Sequence, residues 1–167
     1  MGHKEYDEKA NKKFNDPAIN CVFKNIKSNV FWIKRNEKKY DIDIQIMKSL
    51  TLVGGIEVEN HEKYWNDYFS FNSVHFLERK LKYAKPYSYY IQINKGGTNA
   101  VMIPLLKLLQ YPISSMDNAQ EHNEPFIDVK NEQCIWGWEN IRNYIENEVK
   151  IITIKDLMKI NKIPVFI

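Results

Sequence analysis

Four acidic residues occupy alternate positions in two nearby stretches of the chain. Asp41 and Asp43 alternate with isoleucines, and Glu57 and Glu59 alternate with isoleucine and valine further along. Such alternation predicts two strands, each with one buried face and one free face that bears the acids. A hairpin register that sets Asp43 opposite Glu57 also sets Asp41 opposite Glu59. Because opposed like charges destabilise a sheet, the four carboxylates would need a cation, and hard divalent metals bind oxygen ligands.

The strands that must position these acids are predicted at Tyr40–Met47 and Gly55–Asn60, with a hairpin link at Lys48–Val53. The predicted buried face of the first strand comprises Tyr40, Ile42, Ile44 and Ile46. Gly54 and Gly55 stand where the second strand begins. Glycines at such a place indicate either a bulge or flexible turn, or a point where a substrate backbone comes close.

The acidic pattern resembles the PD-(D/E)XK nuclease superfamily, in which one Asp on the second core strand and a (D/E)-x-K triplet on the third bind magnesium and position a water. By this resemblance, Asp43 is the first acid, Glu57 is the second, and Glu59 stands in the lysine position. A glutamate there is a departure that only a minority of the family shares, including some restriction endonucleases. The resemblance implies Mg²⁺, with Mn²⁺ as a substitute, bound by Asp43, Glu57 and the carbonyl of Val58.

The remaining polar groups on this face have more than one interpretation. Glu59 either orients the attacking water as a base or helps to hold a second ion. Asp41 either contacts the metal-binding side chains without binding the metal itself, or is solvated. His61 continues the face as E-x-E-x-H, which could instead hold a transition metal, although a lone histidine more often lies at the surface or in a hydrogen bond. Without any metal, the same acids would form a solvent-facing acidic strand pair.

A basic cluster follows the second acidic strand, on a short helix predicted to begin near Leu77 and to end before Pro86. The cluster comprises Arg79, Lys80, Lys82 and Lys85. It is either a solvated helix face or a set of contacts to nucleic-acid phosphates, which arginine and lysine commonly make. In the resembled family the catalytic lysine sometimes lies on a neighbouring helix. Lys80 is therefore the candidate for that lysine and Arg79 the second choice.

The rest of the chain predicts an α/β fold with a restriction-endonuclease-like core, a mixed central sheet of about five strands flanked by helices, in one domain spanning residues 1–167. Residues 1–15 are predicted to be flexible or loosely helical. Further helices are predicted at Pro17–Lys27 and Trp136–Val149, and further strands at Val30–Arg35, Tyr87–Lys95, Ala100–Leu106 and Phe126–Lys130. Pro104 indicates an edge or a bulge in its strand.

Bulk properties narrow the classes of protein without selecting one. A net charge of +3 permits nucleic-acid binding but does not require it. Two cysteines do not make a disulfide framework, and the charged N-terminal sequence lacks a secretory pattern, so we expect a cytoplasmic protein, in the host cytoplasm if the source is viral. Because Pro104 and Lys107 interrupt the most apolar run, Ala100–Leu109, no membrane partner is expected.

Three functions remain open from the sequence. The resemblance implies a Mg²⁺-dependent DNA endonuclease or resolvase, similar to small phage-encoded members of the superfamily. The first alternative is a catalytically inactive, nucleic-acid-binding relative, in which loss of the lysine marks lost activity. The second is a small viral interaction protein with no enzymatic role. Nucleases of this fold often pair to cut two strands, so a homodimer is the oligomer that the resemblance implies.

Overall fold

The structure of the protein, a computed structural model, describes residues 16–61, 65–114 and 124–161. In chain order the strands are β1 (Trp32–Arg35), β2 (Ile44–Lys48), β3 (Thr51–Asn60), β4 (Ser73–Leu77), β5 (Ser88–Ile93), β6 (Ala100–Pro104), β7 (Ile113–Ser114), β8 (Phe126–Lys130) and β9 (Ile135–Trp136). The helices are α1 (Asp16–Asn25), α2 (Leu105–Leu108), α3 (Trp138–Lys150) and α4 (Ile154–Asn161).

Two sheets organise the described residues. A six-stranded sheet has the order β1-β2-β3-β5-β6-β9, and a three-stranded sheet has the order β4-β8-β7. Only β3 and β5 run parallel in the larger sheet, and every other neighbouring pair is antiparallel. The α/β class and the mixed central sheet flanked by helices are therefore confirmed. The larger sheet has six strands where about five were predicted, because the two-residue β9 adds an edge.

One face of the six-stranded sheet packs against α1 and α3. Both helices present a buried apolar stripe at helical spacing, as their sequences predict. The stripe residues are Ile19, Val22 and Ile26 from α1 and its C-terminal extension, and Ile141, Ile145 and Val149 from α3. The strands contribute alternate residues such as Ile56, Val58 and Ile91 to the same core. This contact encloses the larger of the two clusters of buried apolar side chains, so it forms the main hydrophobic core.

The opposite face of the six-stranded sheet is also covered, which contradicts the prediction that the acidic face is free. The smaller sheet lies over β5 and β6 and encloses a second core that includes Phe76, Tyr90, Ile103 and Ile127. Every residue of β5 is buried. Glu57 faces this side and is only 2 % exposed. The acids of β3 therefore lie beneath neighbouring structure, and their pattern of alternation could not reveal that cover.

The β2–β3 hairpin departs from its prediction at both ends. Regular pairing begins at Ile44, not at Tyr40, and Ile42 packs in the second core, on the other side of the sheet from Ile44. At the other end the register shifts between Ile46 and Met47, which marks a bulge. The chain thus turns over at Asp43, between Ile42 and Ile44. Four residues expected to share one face are consequently divided between two.

The paired glycines lie inside β3 and are not part of the turn. A Cβ on Gly54 would lie 1.8 Å from the backbone oxygen of Tyr87, and a Cβ on Gly55 would lie 2.8 Å from the side chain of Ile42. The backbone N–H of Gly55 also donates to the Tyr87 carbonyl at 3.0 Å. Close backbone approach, one of the two interpretations, is therefore correct in kind. The approaching backbone belongs to this chain and not to a substrate.

The predictions for the remaining segments of the chain have mixed outcomes. The strand predicted to reach Leu106 ends at Pro104, where α2 begins, so the proline lies at a strand terminus. The basic helix is a short 3₁₀-helix, Glu78–Tyr83, hereafter the basic 3₁₀-helix. Residues 1–15, predicted to be flexible or loosely helical, lie outside the described residues. None of the helices in the described ranges has the length and apolar character that crossing a bilayer requires.

Candidate functional site

The end of regular pairing between β2 and β3 brings Asp43 against Glu57. The last paired residues are Ile44 and Ile56, so Asp43 and Glu57 are the next positions along the predicted register. In place of a backbone ladder, the Asp43 N–H donates to Glu57 Oε1 at 3.2 Å, and the Val58 N–H donates to Asp43 Oδ2 at 2.8 Å. The Asp43 carboxylate thus substitutes for a strand partner at the edge of β3, which fixes it beside Glu57.

Lys80 reaches the same point from the basic 3₁₀-helix. Its ammonium group forms an ion pair with Glu57 Oε2, and the two side chains are 13 % and 3 % exposed. A buried carboxylate without a counter-charge is strongly destabilising, so this ion pair supports the burial of the Glu57 side chain. The sequence predicted Lys80 as the displaced lysine of the site, and the structure brings it to the predicted second acid.

Glu59 lies two residues further along β3 and on the same side as Glu57. Tyr90 Oη donates to Glu59 Oε2 at 2.9 Å, and Gln92 Nε2 donates to Glu59 Oε1 at 3.1 Å. The parallel pairing of β3 with β5 explains the contact, since it sets Glu57 beside Tyr90 and Glu59 beside Gln92. Burial raises the pKa of Glu59 to about 7, while the positive charge of Lys80 and the Tyr90 hydrogen bond oppose that rise.

Asp43 also has a strongly altered proton affinity. Removal from water and the negative charge of Glu57 raise the pKa of Asp43 to about 8, and the charge of Lys80 and the Val58 N–H act in the opposite direction. One ammonium group therefore does not compensate for the carboxylates gathered here. A site with surplus carboxylate charge and oxygen donors has the donor chemistry that a hard divalent cation requires.

Asp41 and His61, which were predicted on the same face, are not part of this cluster. Asp41 is exposed, and its Oδ1 accepts a hydrogen bond from the Ile42 N–H at 2.7 Å. Among residues 16–61, 65–114 and 124–161, no three His, Cys, Asp or Glu side chains cluster closely enough to hold an ion by themselves. The E-x-E-x-H ligand set of Glu57, Glu59 and His61 is therefore not assembled. A metal here would depend on two carboxylates, backbone oxygen and water.

The basic cluster divides into engaged and exposed members. Arg79 Nε donates to Glu124 Oε2 at 2.8 Å, so this side chain is held in a partly buried ion pair. Lys82 is exposed, and its ammonium lies 5.1 Å from the centre of the Tyr83 ring. Lys85 is exposed, and its ammonium group makes no hydrogen bond or ion pair within the described part of the chain. Lys82 and Lys85 are thus the members available to an anionic ligand.

A cleft of about 540 Å³ opens next to the segment that leads into Asp43, but its described lining does not include Asp43, Glu57, Glu59 or Lys80. Asp41 and Ile42, which immediately precede Asp43, form part of its wall. Lys85 and Tyr87 line it from the segment after the basic 3₁₀-helix, and Lys159 lines it from α4. The cleft therefore connects one of the exposed lysines with the backbone that leads into Asp43.

Tyr83 and Tyr90 belong to the site, although sequence reasoning did not select them. Tyr90 supports Glu59, and the Tyr83 hydroxyl donates to the Tyr40 carbonyl at 3.1 Å. The alternation of β5 did place Tyr90 on the polar face, but its partner depended on the unpredicted β3–β5 register. Tyr83 follows Lys80 by three residues, which was the available signal, because side chains at that spacing share one face of a 3₁₀-helix.

Comparison with protein-family models, with curated proteins and with solved structures finds no match to this chain. The resemblance to PD-(D/E)XK nucleases therefore depends on the residues and the geometry described above. The two acids, the neighbouring lysine and the third acid are the features on which any assignment of function must be argued.

Proposed function

We propose that this protein is a metal-dependent nuclease that hydrolyses DNA phosphodiester bonds, of the endonuclease or resolvase type. The observation that supports this most is the meeting of Asp43, Glu57 and Lys80 where β2 and β3 separate. Two acids from adjacent strands and a lysine are the set that the family resemblance assigns to catalysis. Lys80 arrives from a separate element, so its position is independent of the acidic pattern that suggested the family.

Asp43, Glu57 and the carbonyl of Val58 would hold Mg²⁺, with Mn²⁺ as a substitute. The raised pKa of Asp43 supports this, because the site has more carboxylate charge than Lys80 neutralises. Magnesium usually keeps several waters and takes only one or two protein carboxylates, so a cluster of three acids is not needed. When bound, the ion supplies an acidified water and neutralises charge on the phosphate.

Glu59 is the proposed base for the attacking water. Its pKa of about 7 suits proton transfer near neutral pH, since catalysis by a base is most efficient when its pKa lies near the working pH. Tyr90 and Gln92 hold its two oxygens, so the orientation of the carboxylate is fixed before substrate binds. The ammonium group of Lys80 places a positive charge where negative charge develops on the phosphate. A second ion held by Glu59 is the alternative role.

Lys82 and Lys85 are the proposed contacts to the DNA backbone. Both are exposed, and Lys85 lines the cleft beside Asp41 and Ile42. Lysine contacts to phosphate position the duplex without reading its sequence, so these residues would set affinity and not sequence preference. The cytoplasm, or the host cytoplasm if the source is viral, remains the proposed location, on the sequence grounds given above. A homodimer would allow both strands to be cut.

The deciding experiment is a nicking assay on supercoiled plasmid and on a four-way DNA junction, with Mg²⁺ or Mn²⁺. We expect the wild type to nick at least one substrate, and Asp43→Asn and Glu57→Gln to abolish cleavage. Glu148→Gln is the matched control, because this carboxylate accepts a hydrogen bond from Tyr89 on the opposite face of the sheet. Loss of cleavage in the control as well, or persistence in both site variants, would contradict the proposal.

The second candidate is a nucleic-acid-binding relative without catalysis. Both oxygens of Glu57 are already engaged, by the Asp43 N–H and by Lys80, which favours a structural ion pair. Fluorescence polarisation with a labelled junction separates this candidate from the first: binding without cleavage in either metal identifies the inactive relative. If neither DNA nor Mn²⁺ binds, the remaining hypothesis is a small viral interaction protein with no enzymatic role.

A further inference from the structure

The basic 3₁₀-helix presents two side chains to the candidate site. Residues three apart eclipse one another on a 3₁₀-helix, so Lys80 and Tyr83 project in the same direction. Lys80 forms its ion pair with Glu57 on β3. Tyr83 Oη donates to the carbonyl of Tyr40 at 3.1 Å, on the segment that leads into Asp43. One rigid turn of helix is therefore attached to both acidic elements.

The segment that receives the Tyr83 hydrogen bond lies outside the regular sheet. Pairing with β3 begins only at Ile44, so residues 40–43 are held by individual contacts, among them the hydrogen bond that the Asn36 N–H donates to the Asp43 carbonyl at 3.0 Å. Tyr40 has a φ of 63°, a left-handed conformation that is unusual for a bulky residue and is maintained only by surrounding contacts. Its side chain is 50 % exposed, so packing of the ring alone does not impose this conformation.

The charges of the nearby acids act on the phenol of Tyr83. The side chain is partly buried, and burial together with the charges of Glu57, Asp43 and Asp41 raises the pKa of the phenol. The hydroxyl therefore stays protonated and remains a hydrogen-bond donor over the working pH range. A donor in that position can hold the Tyr40 carbonyl without adding another charge to the site.

We propose that Tyr83 is a positioning residue for phosphodiester hydrolysis: its hydroxyl holds Tyr40 in the left-handed conformation and thereby sets Asp43 against Glu57 and Lys80. This inference rests on the proposed nuclease function. Without the hydroxyl, the segment before β2 relaxes and the Asp43 carboxylate moves away from the geometry that Lys80 and Glu57 define. Small displacements of this kind reduce the rate of chemistry more than they reduce binding.

The test is steady-state cleavage by Tyr83→Phe, which keeps the ring and removes only the hydroxyl. We expect kcat to fall about 10-fold while KM for DNA stays within about twofold, because positioning acts on the chemical step. Tyr144→Phe on α3 is the matched control, since its hydroxyl makes no hydrogen bond within the described residues and faces the other core. It should cleave like the wild type.

A rescue variant separates positioning from general support of the fold. Glycine adopts positive φ readily, so Tyr40→Gly in the Tyr83→Phe background should restore several-fold of the lost kcat. If Tyr83→Phe lowers thermal stability, raises KM equally and is not rescued, the residue is structural and the inference fails. Unchanged kcat in Tyr83→Phe would also refute it while leaving the nuclease proposal intact. A wild type that cleaves no DNA refutes the nuclease proposal, and this inference with it.

Discussion

The two faces of the six-stranded sheet are built from the same strands but have opposite character. Toward α1 and α3, the strands present mainly apolar side chains, among them Ile44, Ile56 and Ile91, although Lys48 of β2 donates to the Val149 carbonyl at 2.9 Å. Toward the smaller sheet, β3 and β5 present Glu57, Glu59 and Gln92 alongside the second apolar core. Both faces are covered, so the difference is not one between buried and solvated surfaces.

The contrast shows which face serves stability and which is costly to maintain. Burial of apolar surface stabilises by about 25 cal/mol per Å², and the helical face offers little else. On the other face, Gln92 Oε1 is buried without a hydrogen-bond partner within the described residues. Buried ion pairs such as Glu57–Lys80 can often be replaced by apolar groups without loss of stability. The polar face is therefore the one whose composition calls for a functional explanation.

The largest expected effect is on activity and belongs to the polar face. Asp43→Asn should reduce the cleavage rate by about 10³-fold, roughly 4 kcal/mol of transition-state stabilisation. The free energy of unfolding at pH 8 should be at least as large as that of the wild type, because the variant removes a charge that burial disfavours. Cleavage rates and chemical denaturation of the same samples check both parts. A variant that loses stability and activity together would remove the distinction between the faces.

The helical face should show the reverse pattern. Ile145→Ala on α3 removes a fully buried side chain from the main core and should destabilise the protein by about 3 to 4 kcal/mol. For a chain of this size that corresponds to a fall in Tm of roughly 10 °C. Measured well below the lowered Tm, cleavage should match the wild type. A specific loss of kcat in the folded variant would show that the helical face contributes to the site.

The Lys80–Glu57 pair tests whether the polar face also contributes to the stability of the fold. Lys80→Met leaves the Glu57 carboxylate buried without a counter-charge and should cost about 3 kcal/mol of unfolding free energy at pH 8. Adding Glu57→Gln should recover most of that stability while cleavage stays absent, because the pair is replaced as a unit. Urea denaturation of the two variants measures the coupling. Additive destabilisation would mean that the ion pair contributes less than its burial implies.

The smallest expected effect is a pH dependence of stability confined to the polar face. Asp43 has a pKa of about 8 in the folded protein against an ordinary value of 3.8, so between these values the folded state holds a proton that the unfolded state has lost. Stability should therefore fall as pH rises from about 5 to 8. Asp43→Asn should remove most of that decline, which thermal denaturation at pH 5 and at pH 8 would measure. Glu148→Gln, on the other face, should leave it unchanged.

Local patterns in the sequence predicted much of the fold. The helices predicted at Pro17–Lys27 and Trp136–Val149 are present as Asp16–Asn25 and Trp138–Lys150, because helix signals act within a few residues. The alternation of β3 correctly separated Ile56 and Val58 from Glu57 and Glu59. Asp43 lies beside Glu57 as predicted, but this register depends on the bulge between Ile46 and Met47, which the hairpin prediction did not include. The restriction-endonuclease-like assignment and the catalytic roles remain predictions.

Other features depended on contacts between distant segments. Ile42 lies on the opposite side of the sheet from Ile44 because the Asp43 carboxylate, and not its backbone, satisfies the Val58 N–H. The cover over the acids comes from a second sheet whose strands are short and lie far apart along the chain. Neither the alternation of one strand nor its composition encodes what packs against it.

Residue type and local spacing were enough to predict the candidate acids, the strands that bear them and a basic segment after β3. Tertiary structure alone decided that Lys80 reaches Glu57, that Tyr90 and Gln92 hold Glu59, and that Tyr83 reaches the segment before Asp43. Burial and the proximity of charges then set the proton affinities of Asp43 and Glu59. Those properties arise only when separate elements exclude water from one shared place.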